Sequence, residues 1–209
     1  MTGTGQPRLY LIVPPETGRA CSPDQLQRVL DAAEISCVRL ALSTTDEDRI
    51  TRTVDPVRDI CHARDIPAVI DDHMLLARRL GLDGVHLTGG ARFVRKARRE
   101  LGPEAIVGAS CAASRHEGMN AGESGADYIC FGPTGTAMLG DGGQATRDLF
   151  QWWSEMIEVP VVAEGALDEE IISSLSSATD FFAIGEEIWT APDPAARLKQ
   201  LASAIRAVP

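Results

Sequence analysis

The sequence predicts a single-domain (β/α)8, or TIM, barrel of eight parallel strands spanning residues 8–209, behind a flexible N-terminal arm, 1–7. Three observations predict it. Short β-rich apolar runs alternate with helical stretches eight times, at a repeat of about 26 residues. The central strand run carries no polar interruption, as a strand covered on both faces requires. The 209 residues sit at the compact end of the range for eight such units. The competitor is a doubly wound open sheet. It would carry a phosphate fingerprint after its first strand, and PPETG after Val13 is no GxGxxG.

Taken in order, residues 9–13 (LYLIV) form the first strand, stopped by Pro14 and Pro15. Ser22-Pro23-Asp24-Gln25 is a capping box with proline at the first helical position. Leu26, Val29, Leu30 and Ala33 follow at helical spacing. Residues 37–42 (CVRLAL) return to strand, and 46–63 form a helix expected to kink or restart at Asp55-Pro56. The stretch 66–87 holds a complete βαβ unit. Its strand 67–70 ends at Asp71 and Asp72, with Asp72 expected as helix N-cap and Gly81 as the glycine after the helix. A strand resumes at Gly84, Val85 and Leu87. Because the crossover is right-handed and the strands parallel, both aspartates fall on the carboxyl edge, where parallel folds place ligands.

Further on, 91–101 is a helix, 105–109 a strand, 114–123 a helix and 127–131 a strand. A glycine-rich loop, 132–143, precedes a helix marked by Leu149, Trp152 and Met156. Strand 159–163, helix 168–177, strand 181–184 and a final helix carrying Ala195, Leu198, Leu201 and Ile205 complete the alternation.

A net charge of −10 and pI near 4.8 argue against broad nucleic-acid or anionic-membrane binding. Five cysteines without metal-like spacing fit reduced thiols, and no apolar run spans a bilayer. The expectation is a cytoplasmic protein. The basic run Arg92, Arg95, Lys96, Arg98 and Arg99 reads as a solvated helix face, and His86, Cys111 and Cys130 read as core residues. Trp152 and Trp153 read as outer-helix packing, with one facing either solvent or a subunit contact in a homo-oligomer.

LYLIV, VIDDHMLLARRLGLDGVHL, GASCAASRHEGMNAGESGADYICFGP, PVVAEGAL and DFFAIGEEI together resemble the thiamine phosphate synthase family and its thiazole-tautomerase (TenI) relatives, in the same order over most of the chain. The resemblance implies a (β/α)8 barrel that joins hydroxymethylpyrimidine diphosphate to thiazole phosphate with Mg²⁺, releasing pyrophosphate. Substrate-binding positions carried over by motif are Arg39, Asp71, Ser110, Gly165 and Ala166, with Asp72 as a metal ligand.

Other family positions have changed. The strand-2 lysine position holds Ser43, and the loop lysine position holds Gly140. One of the two metal carboxylates is missing, its place taken by Thr88-Gly89-Gly90-Ala91. The tautomerase histidine position holds Ala112. Glu164-Gly165-Ala166-Leu167 and Gly185-Glu186-Glu187-Ile188 replace the two phosphate-cradling motifs, with Glu186 at a phosphate-contacting serine. Arg39 inside an apolar strand wants an anionic partner, and a salt bridge to Asp71 is the expected one.

Two functional classes follow. One is a transferase of thiamine biosynthesis whose activity is weakened or lost with its anion-binding residues. The other is a catalytically silent paralogue that binds a less anionic small molecule, or a protein partner, at the carboxyl-terminal rim.

Overall fold

Parallel pairing runs unbroken round the molecule. In the computed structural model, which describes residues 6–14, 21–42, 44–135 and 143–206, the strands are β1 (Arg8–Val13), β2 (Ile35–Leu40), β3 (Ala68–Asp71), β4 (Gly84–Leu87), β5 (Ile106–Ser110), β6 (Tyr128–Phe131), β7 (Val161–Glu164) and β8 (Phe181–Ile184). Each pairs in parallel with the next, and β8 closes on β1. Closure removes both sheet edges and confirms the barrel over the open sheet.

Helices α1 (Pro23–Leu30), α2 (Glu47–His62), α3 (Met74–Arg79), α4 (Val94–Leu101), α5 (Arg115–Glu123), α6 (Arg147–Met156) and α7 (Glu169–Leu175) fill the crossovers. A short 3-10 turn, Gly90–Phe93, precedes α4. After β8 come two helices, the four-residue α8 (Glu186–Trp189) and the long α9 (Pro194–Arg206). The sequence reading anticipated only the second. Among the described residues no helix is long and apolar enough to cross a membrane.

Local chemistry sets most boundaries. Ser22 caps α1 by accepting from Gln25 N, Ser114 caps α5 by accepting from Glu117 N, and Asp168 caps α7. Gly81, at φ +67°, turns the chain out of α3 as expected. Two readings are corrected. α2 does not restart at Pro56 but continues through it, because Ile50, Val54, Val57 and Cys61 form one buried face whose packing outweighs a forfeited hydrogen bond. Asp72 is not the N-cap of α3; His73 holds that position with no side-chain cap, and Asp72 sits at φ +55° with its carboxylate turned to Thr88.

The amino-terminal ends of the strands carry a repeated device. Asp83, Asp127 and Asp180 each stand just before an even-numbered strand. Each side chain accepts the N–H at the start of the preceding strand, Ala68, Val107 or Val161, at 2.7–2.8 Å. Each backbone N–H donates in return to the carbonyl of the same residue. The Arg98 side chain braces one of these aspartates, Asp127, and also reaches the carbonyls of Ala105 and Gly125. That arginine therefore belongs to the scaffold rather than to a free basic face.

Two apolar regions result. Between barrel and helices lies the main core, with Trp153, Phe131 and Phe150 fully buried. Trp153 is interior, while Trp152 is partly exposed beneath Arg115, whose guanidinium lies 4.4 Å from the ring centre. Inside the barrel, Tyr10, Cys37, Val69, Tyr128, Cys130, Val162 and Ala183 form a second cluster. Gly108 makes room for it, since a Cβ there would stand 2.0 Å from Tyr128 Cζ.

Candidate functional site at the barrel mouth

Strand periodicity decides which side chains look inward. Register pairs Ile12 with Arg39, Arg39 with Val69, Asp71 with His86, and Glu164 with Ala183. These positions alternate with the fully buried Leu11, Leu40 and Ile70. Arg39, Asp71 and Glu164 therefore reach one place at the carboxyl ends of β2, β3 and β7. Arg39 Nη1 donates to Glu164 Oε2 at 2.8 Å, and Arg39 Nε lies 2.9 Å from Asp71 Oδ1. The second contact is an ion pair without hydrogen-bond alignment, so both atoms stay without a directed partner. Cys130 Sγ donates to the same Glu164 oxygen at 2.9 Å. The expected Arg39–Asp71 bridge is present, and Glu164 adds a second carboxylate.

This electrostatic arrangement is closed on itself. Burial pushes the Asp71 carboxyl up to about 7 against the pull of Arg39. Burial acts the same way on Glu164, but the Arg39 guanidinium and hydrogen bonds from Arg39 and Cys130 outweigh it and hold that carboxyl below its ordinary value. Beneath them, Tyr10 and Tyr128 hydroxyls meet at 2.8 Å, and Tyr128 OH meets His86 Nδ1 at 2.9 Å. Burial, helped by nearby Arg39, lowers His86 to about 3, so the ring is neutral at pH 7. His86 Nε2 is buried without a partner. Spacing alone gave no sign of this polar chain; the inward positions of β1, β4 and β6 would have shown it once the strand pairing was known.

A cavity of about 550 Å³ opens beside the Arg39 group. Ile12, Ala183 and Trp189 supply apolar wall, and Glu164, Gly165, Ala166, Gly185, Glu186 and Glu187 supply the rim over β7 and β8. Trp189 is fixed there by donating from Nε1 to Ile12 O at 2.6 Å. Gly165 and Ala166 both take positive φ, +88° and +55°, and Thr134 ties the loop down by donating from Oγ1 to Gly165 O. Glu187, in α8, folds its carboxylate back over both loops. Its Oε2 accepts from Gly185 N at 2.7 Å and its Oε1 from Leu167 N at 3.1 Å. Sequence reasoning had singled out Glu186, which is exposed on the cavity rim; the neighbouring glutamate is the one seated on the backbone donors.

The remaining carried-over positions lie apart. Ser110 ends β5, paired in register with Cys130, and does not line the cavity. Ser43 and Gly140 lie outside the described residues. The chain's two lysines, Lys96 and Lys199, are on α4 and α9, and neither lines the cavity. Asp72 accepts from both N and Oγ1 of Thr88. Magnesium demands an oxygen-rich octahedral shell. Here both Asp72 oxygens are engaged, segment 88–91 offers no carboxylate, and no three metal-ligating side chains converge among the described residues. Asp72 is thus the one carboxylate that the two family metal positions retain, and a Mg²⁺ there would depend on water and substrate oxygens for the rest of its shell.

A family profile described as thiamine monophosphate synthase matches residues 9–188. Thiamine-phosphate synthase of Rhodospirillum centenum is 41% identical over 189 residues, covering 88% of this chain and 90% of that one. The enzyme of the same name from Erythrobacter litoralis is 37% identical, covering 90% and 91%. Among solved structures, thiamine phosphate pyrophosphorylase from Pyrococcus furiosus superposes with a TM-score of 0.82 over 95% of both chains at 21% identity, a likeness of fold. Profile, sequence identity and barrel agree, and the chain belongs to the thiamine monophosphate synthase family.

Proposed function

We propose that this chain is a thiamine phosphate synthase-type protein whose family reaction, transfer of the hydroxymethylpyrimidine group to thiazole phosphate with loss of pyrophosphate, runs weakly or not at all. The ligand site is the cavity at the carboxyl-terminal rim. One observation carries the reading: the backbone donors of the loops after β7 and β8 already hold an anion, the Glu187 carboxylate. In barrels of this kind those loops commonly hold phosphate. An added negative charge about 4 Å from a carboxylate costs roughly 4 kcal/mol at an effective dielectric near 20.

Arg39, the one cation lining the cavity among the described residues, brings no relief, because Asp71 and Glu164 both claim it. The likeness to named synthases supports the reaction class; the acids at the mouth support its weakening. The alternative, a silent paralogue taking a less anionic small molecule, draws on the same carboxylates. Pyrophosphate release decides between activity and silence. With hydroxymethylpyrimidine diphosphate, thiazole phosphate and Mg²⁺, turnover well under one per second is expected. Rates ordinary for enzymes, about 1–1,000 per second, would overturn the proposal.

A further inference from the structure

Charge is segregated on this molecule. The chain carries a formal −10, yet seven of its 20 lysines and arginines fall within residues 78–99, with Asp83 the only acid among them. Two of the seven belong to the scaffold: Arg98 braces Asp127, and Arg79 pairs with Glu47 at 2.7 Å. Arg92, Arg95, Lys96 and Arg99 stand at i, i+3, i+4 and i+7, and all four are exposed. They form one row along the outer face of the 3-10 turn and α4, opposite the buried Val94 and Ala97.

Within the chain this row is unfavourable. Arg92 with Lys96, and Arg95 with Arg99, are like charges four residues apart, which repel. Arg95 and Lys96 also lie in the first turn of a helix with no acid in that turn and no side-chain cap, so they oppose its dipole. The neighbouring α3 adds Arg78, which reaches Glu100 O at 3.4 Å, and brings no acid. Glu100 stands 3.6 Å from Arg99, and among the described residues no carboxylate pairs with Arg92, Arg95 or Lys96. Two large apolar side chains are exposed at the start of these same helices, Leu75 (63%) on α3 and Phe93 (38%) just before α4.

We infer that this face of α3 and α4 docks an acidic amphipathic helix of a protein partner. Carboxylates at helical spacing face the cationic row, and an apolar residue covers Leu75 and Phe93. Charge complementarity selects the anion. Arg92 to Arg99 spans about 10 Å of helix axis, the reach of two turns of a facing helix. A nucleic acid suits the surface less. Its phosphates would continue past the row onto an otherwise acidic molecule, and the Arg92 guanidinium, 5.0 Å from the Phe93 ring centre, already covers the face on which a base would stack.

Fluorescence anisotropy tests this with the purified full chain and a labelled synthetic peptide of about 20 residues, long enough to hold a helix. The peptide carries glutamates at i, i+3, i+4 and i+7 on one face and two leucines at one end. Saturable binding is expected, weakening about tenfold or more between roughly 50 and 300 mM NaCl. Arg95→Glu with Lys96→Glu should weaken it by at least about tenfold, while Arg28→Glu, at an exposed cation of α1, should leave it unchanged. Should the reversed variant not fold, Arg95→Gln with Lys96→Gln serves instead: it should lose most of the binding and raise the thermal midpoint, because repulsion along α4 is removed. The inference is overturned by no saturable binding, by equal loss from Arg28→Glu, or by labelled single-stranded RNA binding as tightly as the peptide.

Discussion

Arg39 holds two largely buried carboxylates at the edge of the cavity, and that fixes what its loss would do. Arg39→Ala leaves Asp71 and Glu164 facing each other, and breaking a buried pair by removing one partner costs about 3–5 kcal/mol. Urea denaturation should register a loss of that size. A loss below about 1 kcal/mol would mean that the guanidinium is held for a ligand rather than for its neighbours. Asp71 makes a pH-dependent contribution whose sign follows from its raised value, about 7 in the folded chain against 3.8 ordinarily. Between those values the folded state binds a proton the unfolded state lacks, so the contribution to stability is present at low pH and lost as pH rises through 7. Asp71→Asn lacks that gain. Its stability relative to the parent protein should therefore fall as pH drops from 7 to 4, read from urea midpoints at each pH. His86 works in the opposite direction in both proteins, being held neutral with a value near 3, so the comparison between them isolates Asp71.

At the scale of elements, the three aspartates before β4, β6 and β8 show how a short strand is started. Each pairs with both the N–H and the carbonyl of one residue on the preceding strand. Asp127→Ala would leave Val107 N without its side-chain acceptor and Arg98 without its carboxylate. The expected cost is about 1–3 kcal/mol, visible as a lowered thermal midpoint with the barrel's circular dichroism retained. The same scale explains the missed readings. Pro56 argues for a break when only local propensity is weighed, yet four buried side chains keep α2 continuous. Asp72 has the right residue type and spacing for a cap, but its positive φ swings the carboxylate toward Thr88 on the next loop. α8 is too short to show a helical period, so nothing in the sequence announced it.

For the whole molecule, the strand–helix alternation, the parallel pairing and the carboxyl-end location of the site were legible because they depend on local apolar patterning and crossover handedness, both written along the chain. The family was legible too, since its motifs are contiguous segments. The sequence also placed acids at the mouth and named Arg39 and Asp71 as a pair. It did not decide which glutamate holds the backbone donors, or that Glu164 shares Arg39, or that Tyr10, Tyr128 and His86 form one buried chain. Those contacts join residues 125, 42 and 20 positions apart. Their geometry is set by strand register and by closure of β8 on β1, which are properties of the folded barrel and have no local signature.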